Sequence, residues 1–226
     1  MSNYEQVYSS TLSLKRIIYT TILFLGIPIL SKWINQFIQN ETISYTMVIN
    51  IIGCILVMYN WNLIGIHYNR TKYNLKESLL YFIIGIIGIT VWFLFNLAYI
   101  KGAVLTPDIA TLQTYPAGIP IIFLAYGFVL PILTSMTAKC LTDRLPIKTL
   151  ELQVIIVTGF AFSLFYVAFY VPIGIASWAQ GYVFYTVLFM FISYLYNQSS
   201  SLLPGTAAYS LVLIVYFTIR LIIAYL

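Results

Sequence analysis

Apolar runs of nearly membrane-crossing length recur seven times along this chain, separated by short polar breaks. About 20 helical residues cross a ~30 Å hydrocarbon core. Inside that core every backbone N–H and C=O must be bonded within its own segment, because lipid offers no partner. The runs therefore predict helices, and their repetition predicts an all-α, polytopic membrane helix bundle. The expected spans are 16–38, 45–66, 78–100, 117–139, 150–171, 179–197 and 203–225. No Gly/Ser linker or low-complexity stretch divides them, so 1–226 reads as a single transmembrane domain. Composition closes off the water-soluble alternative: 61% of the residues are hydrophobic and 8% are charged, with a mean hydropathy of +0.93. Too few charges remain to cover a surface in water.

Orientation follows from the basic residues. Lys15 and Arg16, then Arg70, Lys72 and Lys76, then Lys139, Arg144 and Lys148 fall at alternate breaks, whereas the opposite side has Lys32 and Lys101. The positive-inside rule places the N-terminus in the cytoplasm. A net charge of +5 is too thinly spread for a nucleic-acid surface, so the bilayer is the expected partner and nucleic acid is not. Lys15 and Arg16 precede the first apolar run as in a signal peptide, but no small-x-small cleavage site follows, and the run is expected to stay as the first span. Cys54 and Cys140 lack the ladder of partners of a disulfide framework and are assigned to packing.

The stretch Phe128 to Arg144 carries the polar atoms of most interest. Lipid cannot hydrogen-bond Thr134, Ser135 or Thr137, so these side chains are expected to bond back to their own helix or to face neighbouring helices. Lys139, one turn beyond Ser135, either snorkels to the headgroups or is the cation of a buried polar site. His67 is the sole histidine, with no cysteine or carboxylate cluster nearby. A closed metal site needs several ligands, so no metal is expected, and the residue reads as interfacial. Arg220 is read as snorkelling outward from the last span. That span has no lysine for a retinal Schiff base, and no cofactor is expected. Gly85 and Gly88 predict close helix approach. The loop VLTPDIATLQTYP predicts a short interfacial helix on the outer face.

Three motifs, spread from Val129 to Val215, resemble in order and spacing the CPBP intramembrane protease family, which includes CAAX prenyl endopeptidases and bacteriocin-associated membrane proteins. LPILTSMTAKCLTDRL resembles its first motif, an apolar lead-in followed by Glu-Glu and an Arg. GFAFSLFYVAF is similar to the second, where Phe and His lie four apart. FMFISYLYNQSSSLLPGTAAYSLVL resembles the closing segment, with a helix ending in Leu-Tyr, a Ser-Leu-x-Pro turn and a last helix bearing His and then Asn. The resemblance implies a CPBP-like core over about 117–225. It sets Thr134 and Ser135 at the two glutamates, Lys139 at the arginine, Phe169 at the first histidine, Tyr209 at the second and Leu213 at the asparagine. Every position that family chemistry uses is thus altered, and these are degenerate former active-site positions.

Elementary chemistry points the same way. Hydrolysis by water needs a general base or a metal, and an electrophile to take the developing charge. The six carboxylates, Glu5, Glu41, Glu77, Asp108, Asp143 and Glu151, all fall at span ends or in loops. The expectation is a non-catalytic relative, a pseudoprotease, that binds another membrane protein or a hydrophobic peptide, as in bacteriocin self-immunity or the scaffolding of a membrane enzyme in a bacterial cell membrane. Two alternatives stand beside it: an active endopeptidase using an unrecognised site such as Ser135 with Lys139, and a small-solute transporter with broken-helix candidates at Gly118 to Pro120 and Gly127 to Pro131.

Overall fold

The computed structural model describes residues 13–142, 151–170 and 175–226. Glu5, Asp143, Arg144 and Lys148 lie outside the described residues. The helices are α1 (Leu14–Ile38), α2 (Glu41–Tyr59), α3 (Trp61–Tyr73), α4 (Leu75–Phe95), α5 (Ile109–Thr114), α6 (Ile119–Phe123), α7 (Leu130–Thr142), α8 (Glu151–Tyr170), α9 (Ile175–Ser199) and α10 (Leu203–Tyr225). There is no strand among the described residues. Among the described residues six helical runs are long and apolar enough to cross a bilayer, and Ile155–Tyr170 is a shorter apolar seventh. The molecule is an integral membrane helix bundle of about seven spans.

Lipid explains its surface. Leu80, Ile83, Ile87, Val91 and Leu94 recur at helical spacing on α4 and all stand exposed, as expected of a stripe that faces hydrocarbon rather than water. Exposed Trp33 near the end of α1 and exposed Trp61 past the end of α2 mark the two interfaces. Cys54 also lies on the exposed surface, so of the two cysteines only Cys140 packs inside. The expected close approaches occur. A Cβ on Gly85 would stand 2.7 Å from Ala208 Cβ, and one on Gly88 would run into the Phe191 ring.

The second span ends earlier than expected, at Tyr59 rather than 66. Asn60 is fully buried, and its Nδ2 donates to Leu56 O at 3.1 Å and to Thr20 Oγ1 at 3.0 Å. The Asn60 backbone N–H still donates to Leu56 O at 3.0 Å, so that carbonyl takes both donors, and the side chain ties the end of α2 to α1 through Thr20. The chain turns, and α3 runs on as a separate helix that touches α4 and α10. Broken helices do not form in the fourth span. Pro116–Gly118 is a short 3-10 turn, and Leu124–Val129 is a π-helical stretch that runs on into α7. Pro131 cannot donate to the carbonyl four residues back, and the widened turns just ahead of it let the helix continue past the ring.

The outer end is closed by the loop after α4. Asp108 caps α5 by accepting from Thr111 N at 3.2 Å, which confirms the short helix, and Leu112 is buried beneath it. Arg220 does not snorkel: its Nη1 donates to Thr106 Oγ1 at 2.8 Å and its guanidinium lies 5.8 Å from the Tyr216 ring centre. Asn96 clamps the loop, since its Nδ2 donates to Gly102 O at 3.1 Å while its Oδ1 accepts from Gly102 N at 2.9 Å. Asn96→Ala strands both groups of Gly102 in a buried place. It is expected to cost about 2 to 3 kcal/mol, read as a lower Tm in detergent, and an unchanged Tm would mean the loop is held elsewhere.

Candidate functional site

α7 is the central element, packed against α1, α2, α8, α9 and α10. Its polar run is buried as the bilayer argument requires, but its hydrogen bonding is uneven. Thr134 Oγ1 donates to Leu130 O at 2.7 Å. Ser135 Oγ and Thr137 Oγ1 are buried without a hydrogen-bond partner. Buried hydroxyls are nearly always paired, so two orphans on one helix call for an explanation. Lys139 is 8% exposed, and its Nζ lies 5.0 Å from the Tyr196 ring centre. The lysine is therefore covered by protein, with an aromatic face against its charge.

The positions drawn from the resemblance divide into two groups. Tyr209 and Leu213 lie on the buried face of α10, and α10 packs on the helix that carries Thr134 and Ser135. Tyr209 is near Tyr166 and Tyr185, two fully buried rings whose centres are 4.5 Å apart. Phe169 stands apart. It is half-buried towards the outer end of α8, and Phe165, four residues before it, is 48% exposed. The residues of α8 that do face the bundle at that spacing are Phe162, Tyr166 and Tyr170. A helix turns 100° per residue, so a one-residue change of register, from Phe165 and Phe169 to Tyr166 and Tyr170, carries the aromatic pair from the exposed or half-buried side to the core. Tyr170 then donates its hydroxyl to Phe24 O at 2.5 Å, and Tyr185 accepts from Leu105 N at 2.9 Å. The middle of the bundle is thus lined by tyrosine.

At the cytoplasmic end stands a group the sequence did not disclose. His67, at the interface end of the bundle, is buried in protein at 1% exposed, and its ring centre is 5.8 Å from that of Tyr196, so Tyr196 lies between it and Lys139. Leu202 N donates to His67 Nδ1 at 3.4 Å, and Nε2 has no partner. Burial above all, then the charges of Lys139 and Arg70, push its pKa down to about 3, so the ring is neutral. The turn after α9 holds it in place. Ser201 Oγ donates to His67 O at 3.0 Å, its oxygen lies 2.9 Å from Thr71 Oγ1, and Arg70 Nη1 donates to Ser200 O at 3.1 Å. A signal was there to be read: Leu63 and His67 lie four apart, the stripe of a helix with one covered face.

The carboxylates account for themselves. Glu41 and Glu77 sit in the first turns of α2 and α4, and Asp108 caps α5. Helix N-termini attract negative charge. Glu41, Glu77 and Asp108 are exposed. Among the described residues no group of three His, Cys, Asp or Glu side chains is placed to hold a metal ion. Ser135 Oγ makes no bond to Lys139 or any other residue, whereas an activated serine is normally hydrogen-bonded to its base. Comparison with protein-family models, with curated proteins and with solved structures finds no match to this chain.

Proposed function

We propose that this chain is a non-catalytic membrane binding protein, a pseudoprotease of CPBP type, whose bundle holds a helix of another membrane protein or a hydrophobic peptide. The observation that carries this reading is the pair of unpartnered hydroxyls, Ser135 Oγ and Thr137 Oγ1, on the helix that touches five others. A partner backbone or side chain would supply the missing hydrogen bonds, which in hydrocarbon favour association. The tyrosine-lined interior supports it too, since tyrosine offers large apolar contact with a polar tip. Hydrolytic chemistry would need an interior base, and the exposed Glu41, Glu77 and Asp108 do not provide one. The resemblance adds a setting: self-immunity against a peptide bacteriocin, or the scaffolding of a membrane enzyme, in a bacterial cell membrane.

Affinity purification from native membranes in mild detergent tests the proposal. One protein is expected to co-purify in stoichiometric amount, and Tyr209→Phe and Lys139→Met are expected to lower its recovery. Thr137→Val separates binding from folding. It removes an unpaired buried hydroxyl at constant shape, so it should raise the Tm of the isolated bundle, by about 1 kcal/mol of stability, while weakening capture. If nothing co-purifies, or if the purified chain severs a membrane peptide, the proposal falls. A partner that tolerates all three changes would confine the interface to the outer helix faces.

A further inference from the structure

A cavity of about 210 Å³ opens at the cytoplasmic end of the bundle, lined by Val57, Trp61, His67, Ile132, Met136 and Leu203, among others. It lies against positions of α7 other than the two orphan hydroxyls, so the inference does not rest on the reading above. Nearly all of its wall is hydrocarbon. Thr206 also borders it, but its hydroxyl already donates to Leu202 O at 2.8 Å. His67 is different. Its Nδ1 accepts the Leu202 N–H, so in the neutral ring the proton sits on Nε2, and Nε2 is buried with no acceptor. A buried N–H left unpaired is costly, and a lining histidine whose other nitrogen is fixed by the backbone points to a ligand that accepts a hydrogen bond.

Two further observations define that ligand. The charges of Arg70 and Lys139 both bear on the His67 ring, so an acceptor that carries negative charge is favoured at its free nitrogen over a neutral one. Trp61, which lines the cavity, is 65% exposed, so that wall reaches the surface of the bundle, and tryptophan favours the depth of lipid headgroups. We propose that this cavity binds a single acyl chain with an anionic head, the head oxygen accepting from His67 Nε2–H and the chain lying along Ile132, Met136 and Leu203. A free fatty acid and an anionic phospholipid share this chemistry.

Photolabelling distinguishes them and tests the site. The bundle is reconstituted in phosphatidylcholine nanodiscs with one of three probes carrying the same diazirine-bearing acyl chain: the free fatty acid, phosphatidylglycerol, or the fatty-acid methyl ester. Adducts are mapped by mass spectrometry. Labelling is expected on α7 around Ile132 and Met136 and on α10 around Leu203, by the fatty acid or by phosphatidylglycerol, and the one that labels identifies the source. Loss of a charge-assisted hydrogen bond should make the methyl ester about tenfold weaker. His67→Leu should reduce labelling by about tenfold, and His67→Gln, which keeps a donor, should stay within about threefold of the original. Val57→Phe, which narrows the cavity and spares His67, should also reduce labelling, with Tm showing that each variant is folded. Equal labelling by the ester, adducts confined to other helices, or labelling indifferent to His67→Leu would each overturn the proposal.

Discussion

Gly85→Leu is expected to abolish the folded bundle. A Cβ at this position would sit 2.7 Å from Ala208 Cβ and 3.1 Å from Leu195 Cδ1. The first of these is fixed to the backbone of α10 and cannot swing aside, so α4 and α10 must separate. Even Gly85→Ala is expected to cost about 1 to 3 kcal/mol by overpacking, and the longer side chain correspondingly more. Two comparisons isolate the cause. Gly26 lies in α1 with nothing within 4 Å of its would-be Cβ, so Gly26→Ala should be neutral or stabilising by up to about 1 kcal/mol. Ala208→Gly combined with Gly85→Ala returns the missing room, and the pair should recover most of the loss, a coupling that a double-mutant cycle measures. If Gly85→Leu melts like the unmodified chain, α4 and α10 do not approach as described.

Acid should destabilise the bundle through His67. Its pKa is lowered by burial, and further by Lys139 and Arg70, from 6.5 to about 3. Between those values the unfolded chain binds a proton that the folded chain does not, so stability rises with pH across this window and is lost as pH falls through it. At pH 5 the loss from this group is about 2 kcal/mol relative to pH 7. The measurement is the difference between the unmodified chain and His67→Gln in Tm from pH 7 to pH 5, which isolates the histidine. The variant should show the shallower fall. Identical slopes would mean that the histidine is not held neutral under α10.

Much of the architecture was legible because a bilayer imposes a length and forbids unpaired backbone, and both constraints are written in composition. The spans, the small residues at Gly85 and Gly88 and the capped helix after Asp108 follow from local chemistry alone. Asn60 was missed because its effect depends on burial: exposed, it would be an ordinary interfacial residue, but buried it ties the end of α2 to Thr20 of α1. The burial of His67 and the partner of Arg220 were missed for a related reason. A polar residue near a span end has two outlets, water or protein, and only the positions of the Ser199–Leu203 turn and of Thr106 decide between them. Of the candidate site, the burial of the α7 polar run could be read from the cost of hydroxyls in lipid. The placing of Phe169 could not, because motif spacing fixes which residues are four apart but not which face of α8 they occupy. Only the packing of Tyr166 against Tyr185 does that.

The contacts of α3 with the turn after α9 bear on how the molecule comes off the ribosome. His67, Arg70 and Thr71 wait for Ser200 and Ser201, which are synthesised about 130 residues later. At typical translation speeds of ~5–20 residues per second, α3 spends on the order of ten seconds in the translocon's vicinity with its inner face uncovered. Nascent chains released before residue 199 should therefore leave α3 accessible to protease at the cytoplasmic surface, and those released after α10 has inserted should protect it.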